Sequence, residues 1–275
     1  MKYGGKKIKR LQGSPSSLAS GIDQREKELK VQPHEEGGSM FIGRYAQFQS
    51  TSLFSWDSSN RKSLMRRDTY LVTPDSRVAY EYTGKVSPDK QQSSLNFIEI
   101  LARNIRSRTP SEIPTDPGFC IDGGFIAGNT FQSESVRAGV QMPEHPGMQI
   151  SFWSSTGTTE TTLLERADGF LQGIAKSIAG LHTLRKGKRN IGPIRAEEYL
   201  IAASANGERS YGFKWESQGK DDSLASPTLS LELNVLERGE GDDGNPPPPA
   251  FESDEEALEL WDAILDSIRL RPGAA

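Results

Sequence analysis

The sequence predicts an α+β fold with two domains, each a mainly antiparallel sheet packed with helices. Strand-like runs cluster along the chain and helical patterns interrupt them infrequently, which is typical of this class. Two runs, 211–216 and 229–235, alternate strictly between apolar and polar residues, which indicates a sheet with one packed and one solvated face. Between the halves, the aperiodic segment 107–117 contains three prolines and predicts a domain boundary.

The first domain is predicted to span residues 1–112. Its strand-like runs are 2–11, which Gly4 and Gly5 weaken, 40–48, 53–56, 69–72 and 78–82. The expected helix starts are Ser14-Pro15 and Ser93 or Ser94. The apolar positions expected to face the core are Leu18, Ile22 and Leu29 in the first helix and Leu95, Ile98, Leu101, Ala102 and Ile105 in the second.

The second domain is predicted to span residues 113–275. Its further strand-like runs are 119–126, 136–142 and 149–153. The strongest apolar stripe of a helix consists of Leu163, Ala167, Phe170, Leu171, Ile174, Ile178 and Leu181. The acidic, proline-rich segment 237–252 is expected to be a loop with no core of its own. A capping box, Ser253 with Glu256, predicts the start of the last helix, whose apolar face is Ala257, Trp261, Ile264, Leu265 and Ile268.

The composition, 34% apolar and 25% charged, is that of a soluble globular protein. No stretch approaches the roughly 18 consecutive apolar residues of a membrane helix. The N-terminus is basic, but no apolar run follows it, so no signal peptide is visible. The single cysteine, Cys120, excludes an internal disulfide and is expected to be a small buried hydrophobe.

Charge is distributed unevenly along the chain. Residues 1–117 carry 19 Lys and Arg against 13 Asp and Glu, whereas residues 118–275 carry 14 against 24. This asymmetry indicates two separate surfaces, or two domains that attract each other.

No catalytic, cofactor-binding or metal-binding residue is predicted. The three histidines, His34, His145 and His182, lie in polar breaks or turns or after a helix, and no pair has the spacing of metal ligands. The sequence has no G-x-S-x-G elbow, no Walker sequence and no G-x-G-x-x-G after a strand. Asp122 and Glu134 would be an arbitrary choice of paired carboxylates, because sequence distance gives no reason to favour them. An enzyme is therefore disfavoured.

Charged loops supply the candidate partner contacts. Two basic clusters are expected in turns: Arg61, Lys62, Arg66 and Arg67, and then Arg185, Lys186, Lys188 and Arg189. Neither has the interleaved aromatic residues of a nucleic-acid site, so solvated turns or contacts with a partner's acidic patch are the open interpretations. The candidates for partner contact are Arg66, Arg67, Asp221, Asp222, Asp242 and Asp243.

Several segments resemble the cognate immunity proteins of type VI secretion lipase effectors, in particular the two-domain type that neutralises a phospholipase. They are YGGKKIKRL (3–11), REKEL (25–29), IPTDPGFCIDGGFIAG (113–128), LRKGKRNIGPIRAEEYL (184–200), YGFKWESQGK (211–220), LSLELN (229–234) and LWDAILDSIRLRP (260–272). The resemblance covers the second half nearly end to end and the first half more loosely. Two features of the family, an export signal and a first strand ahead of the segment matching 3–11, are not visible in this chain.

The resemblance implies a non-catalytic, periplasmic protein without a cofactor that clasps a lipase effector between two domains and blocks opening of its active site. It implies no nucleic-acid partner and no membrane insertion. A cleft near 107–117 is the surface expected to face the effector, since the linker and the charge asymmetry meet there. The alternative is a secretion adaptor or chaperone that binds the effector without inhibiting it, because binding alone would give the same sequence features. A nucleic-acid binder is disfavoured by the net charge of −4.

Overall fold

The chain folds into two compact units, Met1–Phe131 together with Arg271–Ala275, and Gln132–Leu270. The computed structural model describes residues 1–13, 17–128, 133–145, 147–157, 159–167, 180–205, 208–221, 223–224, 226–235 and 248–272. The predicted α+β class with mainly antiparallel sheets is confirmed. Among the described residues, no helix is long and apolar enough to cross a membrane.

Six strands of the first unit form an antiparallel sheet in the order β1-β2-β6-β5-β4-β3. They are β1 (Lys2–Tyr3), β2 (Lys6–Arg10), β3 (Phe41–Gln47), β4 (Ser50–Ser58), β5 (Arg61–Val72) and β6 (Ala79–Val86). The single strand expected at 2–11 is a tight hairpin. Gly4 and Gly5 adopt φ values of 55° and 71°, a region that glycine enters without a Cβ clash, so the chain reverses between them.

Two helices belong to this unit, α1 (Leu18–Val31) and α2 (Gln91–Asn104). The buried positions Ile22 and Leu29 of α1 agree with the predicted spacing, whereas the start expected at Ser14-Pro15 lies outside the described residues. The α2 start expected at Ser93 or Ser94 is wrong. A short 3₁₀ turn, Pro88–Lys90, leads directly into the helix, and the Ser93 hydroxyl donates to the Lys90 carbonyl instead.

A small second sheet in the first unit has the order β7-β9-β8. Its strands are β7 (Ile105–Ser107), β8 (Gly118–Ile121) and β9 (Gly124–Ala127). The run expected as one strand, 119–126, is therefore a hairpin that turns at Asp122-Gly123, and Cys120 within it is half-buried rather than fully buried. The boundary expected between 112 and 113 lies inside this unit, because β9 pairs with β7 and keeps the hairpin on the first unit.

The second unit contains a six-stranded antiparallel sheet in the order β12-β13-β14-β15-β11-β10. Its strands are β10 (Glu134–Gln141), β11 (Met148–Ser155), β12 (His182–Lys188), β13 (Glu197–Ala205), β14 (Glu208–Ser217) and β15 (Thr228–Val235). The alternation predicted for β14 and β15 is confirmed, since Tyr211, Phe213 and Trp215 are buried on one face with Leu231 and Leu233. Of the strongest predicted helix, residues 163–167 are helical, and 168–179 lie outside the described residues.

The last helix, α3 (Asp254–Ser267), begins at the predicted cap. The Ser253 hydroxyl accepts from the Glu256 backbone N–H at 3.2 Å, and the Glu256 carboxylate accepts from the Glu252 N–H at 2.6 Å. The first bond satisfies a donor that a helix start leaves open, and the second holds the residue just before the cap. Just before the cap, Ala250 and Phe251 are buried in the hydrophobic core of the second unit. The segment 237–252, predicted to be a loop with no core of its own, therefore contributes two core residues. Residues 236–247 lie outside the described residues.

Trp261 fixes α3 on the sheet. Its side chain is fully buried beside Phe213, with ring centroids 5.7 Å apart. Its indole Nε1 donates to the Glu198 carboxylate on β13 at 3.1 Å. Ala257 and Leu265 on the same helix face are also fully buried, so the predicted apolar face is the docking face.

Replacing Trp261 with Ala is expected to lower the free energy of unfolding by about 3–5 kcal/mol, because the change opens a cavity and removes one of the donors to the buried Glu198 carboxylate. Chemical denaturation of the full chain measures this loss. Trp153→Ala is the matched control, since Trp153 is only half-buried on β11 and should cost clearly less. Equal losses for the two variants would contradict the assigned role of Trp261.

Candidate interaction sites

The histidines form no reaction centre. His34, expected in a solvated break, is buried, and its Nδ1 accepts from the Glu36 backbone N–H at 3.0 Å. His145 lies in its predicted turn, with Nδ1 2.6 Å from the Ala250 carbonyl, and His182 is the exposed first residue of β12. Within the described ranges, no group of three or more His, Cys, Asp and Glu side chains could hold a metal ion.

The first basic cluster lies in strand β5, not in the predicted loop. Arg66 and Arg67 therefore point to opposite faces of the sheet. Arg66 is exposed, and its Nε donates to the Asp68 carboxylate at 2.7 Å. Arg67 is only 1% exposed, so the prediction that both arginines lie in an exposed loop is wrong for Arg67. Once β5 is known to extend from Arg61 to Val72, alternation accounts for the burial, because Arg67 has the same parity along the strand as the buried Met65, Thr69 and Leu71.

Arg67 lines a cavity of about 280 Å³ in the first unit. Its Nη1 donates to the Ser94 hydroxyl and, at 3.3 Å, to the Ser94 carbonyl at the start of α2. The guanidinium lies 5.1 Å from the centroid of the Tyr82 ring. Burial lowers the pKa of Arg67, and burial followed by the charge of Arg67 lowers the pKa of Lys6, a second cation of the lining. Two basic side chains, Arg67 and Lys6, thus line the same cavity.

Two members of the second basic cluster, Arg185 and Arg189, form ion pairs within the second unit instead of lying unpaired in a solvated turn. Arg185, on β12, forms ion pairs with the buried Glu198 at 2.7 Å and with Asp262 of α3 at 2.6 Å. Arg189 pairs with Asp262 at 3.5 Å and with Asp266 at 2.8 Å. These cations compensate carboxylates of β13 and α3 within the second unit. They are therefore committed to the fold and less available to a partner.

A second buried carboxylate contacts the helical segment 163–167. Glu216 on β14 is 6% exposed and pairs with Arg166 of this segment and, at 3.3 Å, with Lys214. The Leu164 backbone N–H donates to Glu197 at 2.9 Å, which satisfies one open donor of the segment's first turn. Among the described residues of the second unit, the buried carboxylates Glu198 and Glu216 are thus both paired with cations of the same unit.

Of the four acidic residues predicted to contact a partner, one, Asp221, is among the described residues. Asp221 is exposed and follows β14 in the second unit. The other acidic candidates, Asp222, Asp242 and Asp243, lie outside the described residues. Arg66 of the first unit and Asp221 of the second therefore remain as the exposed, described members of the predicted set.

Comparison with known proteins identifies relatives along the whole chain. The family model of the Tle cognate immunity protein 4 C-terminal domain matches residues 112–273. The apo structure of TplEi, an immunity protein of the type VI secretion system from Pseudomonas aeruginosa, has 47% sequence identity to this chain and superimposes on it with a TM-score of 0.91. The match covers 98% of this chain and 90% of the TplEi chain. A chain in the crystal structure of the Tle4–Tli4 complex has the same identity and coverage and a TM-score of 0.93. None of the curated proteins compared matches the chain.

A third structure, TplEi from Pseudomonas aeruginosa complexed with the "L" peptide, is 45% identical to this chain. It has the same coverage of 98% and 90% and a TM-score of 0.86. Identity near one half over almost the full length of the chain extends the similarity well beyond the segment that the family model matches.

The ion pairs of α3 predict an acid-sensitive fold. Arg185, and then Arg189, hold the pKa of Asp262 below its ordinary value, and Arg209 does the same for Asp254. Because the folded pKa lies below the unfolded value of about 3.9, each carboxylate stabilises the fold above that pH. This stabilisation is lost as the pH falls through the folded pKa.

Asp262→Asn should therefore lower the melting temperature at pH 7 and flatten its decline between about pH 5 and pH 2. Thermal unfolding of the full chain across this range measures both effects. Glu259→Gln, an exposed change on the same helix, is the matched control and should leave the profile unchanged. A parallel decline in wild type and Asp262→Asn would contradict the assigned contribution of Asp262.

Proposed function

Because the chain belongs to the Tle cognate immunity protein 4 family, we propose that it is a non-catalytic immunity protein that binds a Tle lipase effector of the type VI secretion system and inhibits it. The observation that carries the proposal is the identity of 47%, over 98% of this chain, to a chain in the crystal structure of the Tle4–Tli4 complex. Identity at this level over nearly the full length, with a TM-score of 0.93, supports a shared binding function.

The proposed mechanism is occupancy of the effector. A specific, stable interface of this kind buries about 1,200–2,000 Å², and contacts from both units would strengthen it. Once one unit is bound, the other meets its site at high effective concentration. Inhibition requires only that the complex favours a form of the lipase whose active site is closed to substrate, because a ligand shifts an equilibrium by its differential affinity.

The proposed location is the periplasm. The family supplies this expectation, because an effector that attacks membranes from that side must be intercepted there. The charges of the described surface are the first candidates for steering the two proteins together, since complementary charges chiefly accelerate association. Arg66 in the first unit and Asp221 in the second are proposed as contacts, with Asp222, Asp242 and Asp243 completing the set.

Co-expression with the cognate lipase effector tests the function directly. Growth of cells that carry a periplasm-targeted effector should be restored, and the purified complex should have no lipase activity, because the bound lipase cannot open to substrate. Binding with full lipase activity would identify a secretion adaptor instead of an inhibitor. Absence of binding would contradict the proposal as a whole.

Neutralising the candidate contacts tests the two-unit interface. Arg66→Gln and Asp221→Asn should each lower the association rate by about 2–5-fold at low salt, with a smaller difference at high salt, because exposed charges steer encounter and are screened. Stopped-flow or surface-based binding measures the rates. The matched controls are Lys27→Gln on α1 and Glu259→Gln on α3, both exposed. Rates that fall for only one of Arg66 and Asp221 would contradict contact by both units.

A further inference from the structure

Arg67 is a buried cation without a counter-anion among the described residues. Its Nη1 is bonded to Ser94, but Nε and Nη2 have no hydrogen-bond partner within the described part of the chain. The neighbouring Tyr82 hydroxyl, which donates its proton to the Tyr3 carbonyl at 2.8 Å, offers its oxygen to the Arg67 guanidinium and opposes the lowering of the Arg67 pKa by burial, but a neutral phenol is not a counter-anion. Asp68, the next residue, pairs instead with Arg66 and Arg25. A buried donor left open is costly, and in native proteins it commonly indicates a bound water or ion.

The two open atoms, Nε and Nη2, form one edge of the guanidinium. This edge presents two parallel N–H donors, the geometry that binds two oxygens of one oxyanion. Both atoms lack a hydrogen-bond partner but are shielded from solvent in the structure. A ligand would therefore reach them only after a small movement of the side chains that line the cavity. Lys6, a half-buried and flexible side chain of that lining, is suited to such a movement.

Further positive charge surrounds the cavity. Lys6 donates to the Lys85 carbonyl at 2.8 Å but has no carboxylate partner among the described residues, and neither does Lys90. Lys85 is neutralised by Asp57 at 2.8 Å. Lys90 immediately precedes α2, whose N-terminal end also favours an anion. Three cations, Arg67, Lys6 and Lys90, therefore line one cavity without compensation from the described chain.

We propose that this cavity binds a terminal phosphate group. Arg67 donates through its Nε–Nη2 edge to two of the phosphate oxygens, and Lys6 and Lys90 neutralise the remaining charge. A phosphate monoester carries about −1.5 to −2 charge at pH 7 and three strong acceptor oxygens, which matches three cations better than the single charge of a carboxylate. The apolar side chains of the lining, Val86 and Phe97, would contact the group that carries the phosphate.

This site is distinct from the proposed effector contact at Arg66, because Arg67 lies on the opposite face of β5 and is buried. Two sources share the required chemistry: a phosphorylated small molecule and the headgroup of a phospholipid such as phosphatidate. The cavity of about 280 Å³ is just below the usual range for small-ligand pockets, about 300–1,000 Å³, so a phosphate with a short substituent is the size that fits.

Calorimetric titration of the full chain with inorganic phosphate, glycerol 3-phosphate and acetate at constant ionic strength tests the proposal. Both phosphates should bind with one-to-one saturation and raise the melting temperature, because a ligand specific to the folded state stabilises it. Acetate should bind at least about tenfold more weakly, since it offers one charge and two oxygens. Absence of phosphate binding, or equal binding of acetate, would overturn the proposal.

Substitutions assign the binding to this cavity. Lys90→Gln, an exposed change, should weaken phosphate binding several-fold, whereas Lys27→Gln on the exposed face of α1 should not change it. Arg67→Lys keeps the charge but removes the two-donor edge, and should weaken binding by about tenfold or more. If Arg67→Lys does not fold, as judged by circular dichroism, Lys90→Gln and Lys6→Gln decide the outcome. Unchanged affinity in both would place the phosphate elsewhere and overturn the assignment.

Sedimentation with vesicles separates the two sources. Vesicles of phosphatidylcholine with and without phosphatidate are compared, and competition by glycerol 3-phosphate is measured. Binding that requires phosphatidate, and that Lys90→Gln weakens, identifies the lipid headgroup as the source. Binding to glycerol 3-phosphate without any binding to these vesicles identifies a soluble phosphate ester.

Discussion

The buried carboxylate of Glu198 is the constraint around which the second unit is organised. A carboxylate that is only 4% exposed is tolerable only when its charge and oxygens are satisfied, because desolvation of an unpaired charge costs several kcal/mol. Trp261 and Arg185 supply that satisfaction from α3 and β12. The Glu198 carboxylate on β13 thus links α3, through Trp261, and the edge strand β12, through Arg185, to the sheet. Asp262 extends the network at the surface and makes it sensitive to acid.

The need to pair a buried carboxylate explains why Arg185, in the second basic cluster, is held within the fold. The cations of 185–189 resemble a free basic patch in the sequence, yet Arg185 and Arg189 form ion pairs with carboxylates of the same unit. Arg67 is the opposite case, since it is more deeply buried than Arg185 but faces serines and an aromatic ring instead of a carboxylate. Net charge along the sequence could not separate the two, because compensation depends on which strands and helices meet.

The parts of the fold that were predictable are those with local causes. Alternation at 211–216 and the capping box at 253–256 follow from the period of a strand and from the open donors of a helix start. The extent of β5 was not predictable, because polar residues at 61–68 broke the apolar pattern. Arg185 and Asp262 are 77 residues apart, and no local pattern reports such a pairing. Of the candidate contacts, the exposure of Arg66 was predictable, whereas the burial of Arg67 needed the register of β5.

The chain passes from the first unit into the second and returns to the first at its end, so the two units are not two consecutive segments of the sequence. The family match covers 112–273, but both ends of that segment belong to the first unit: β9 pairs with β7 and with β8, and Arg271 returns there from α3. Its guanidinium donates to the carbonyls of Pro114, Asp116 and Gly118. A chain cut at 112 would separate β7 from its partner strand β9. Since the matched segment begins and ends in the first unit and passes through the second, the hydrogen bonds that hold 114–118 in the first unit come from a residue that follows the second unit in the chain.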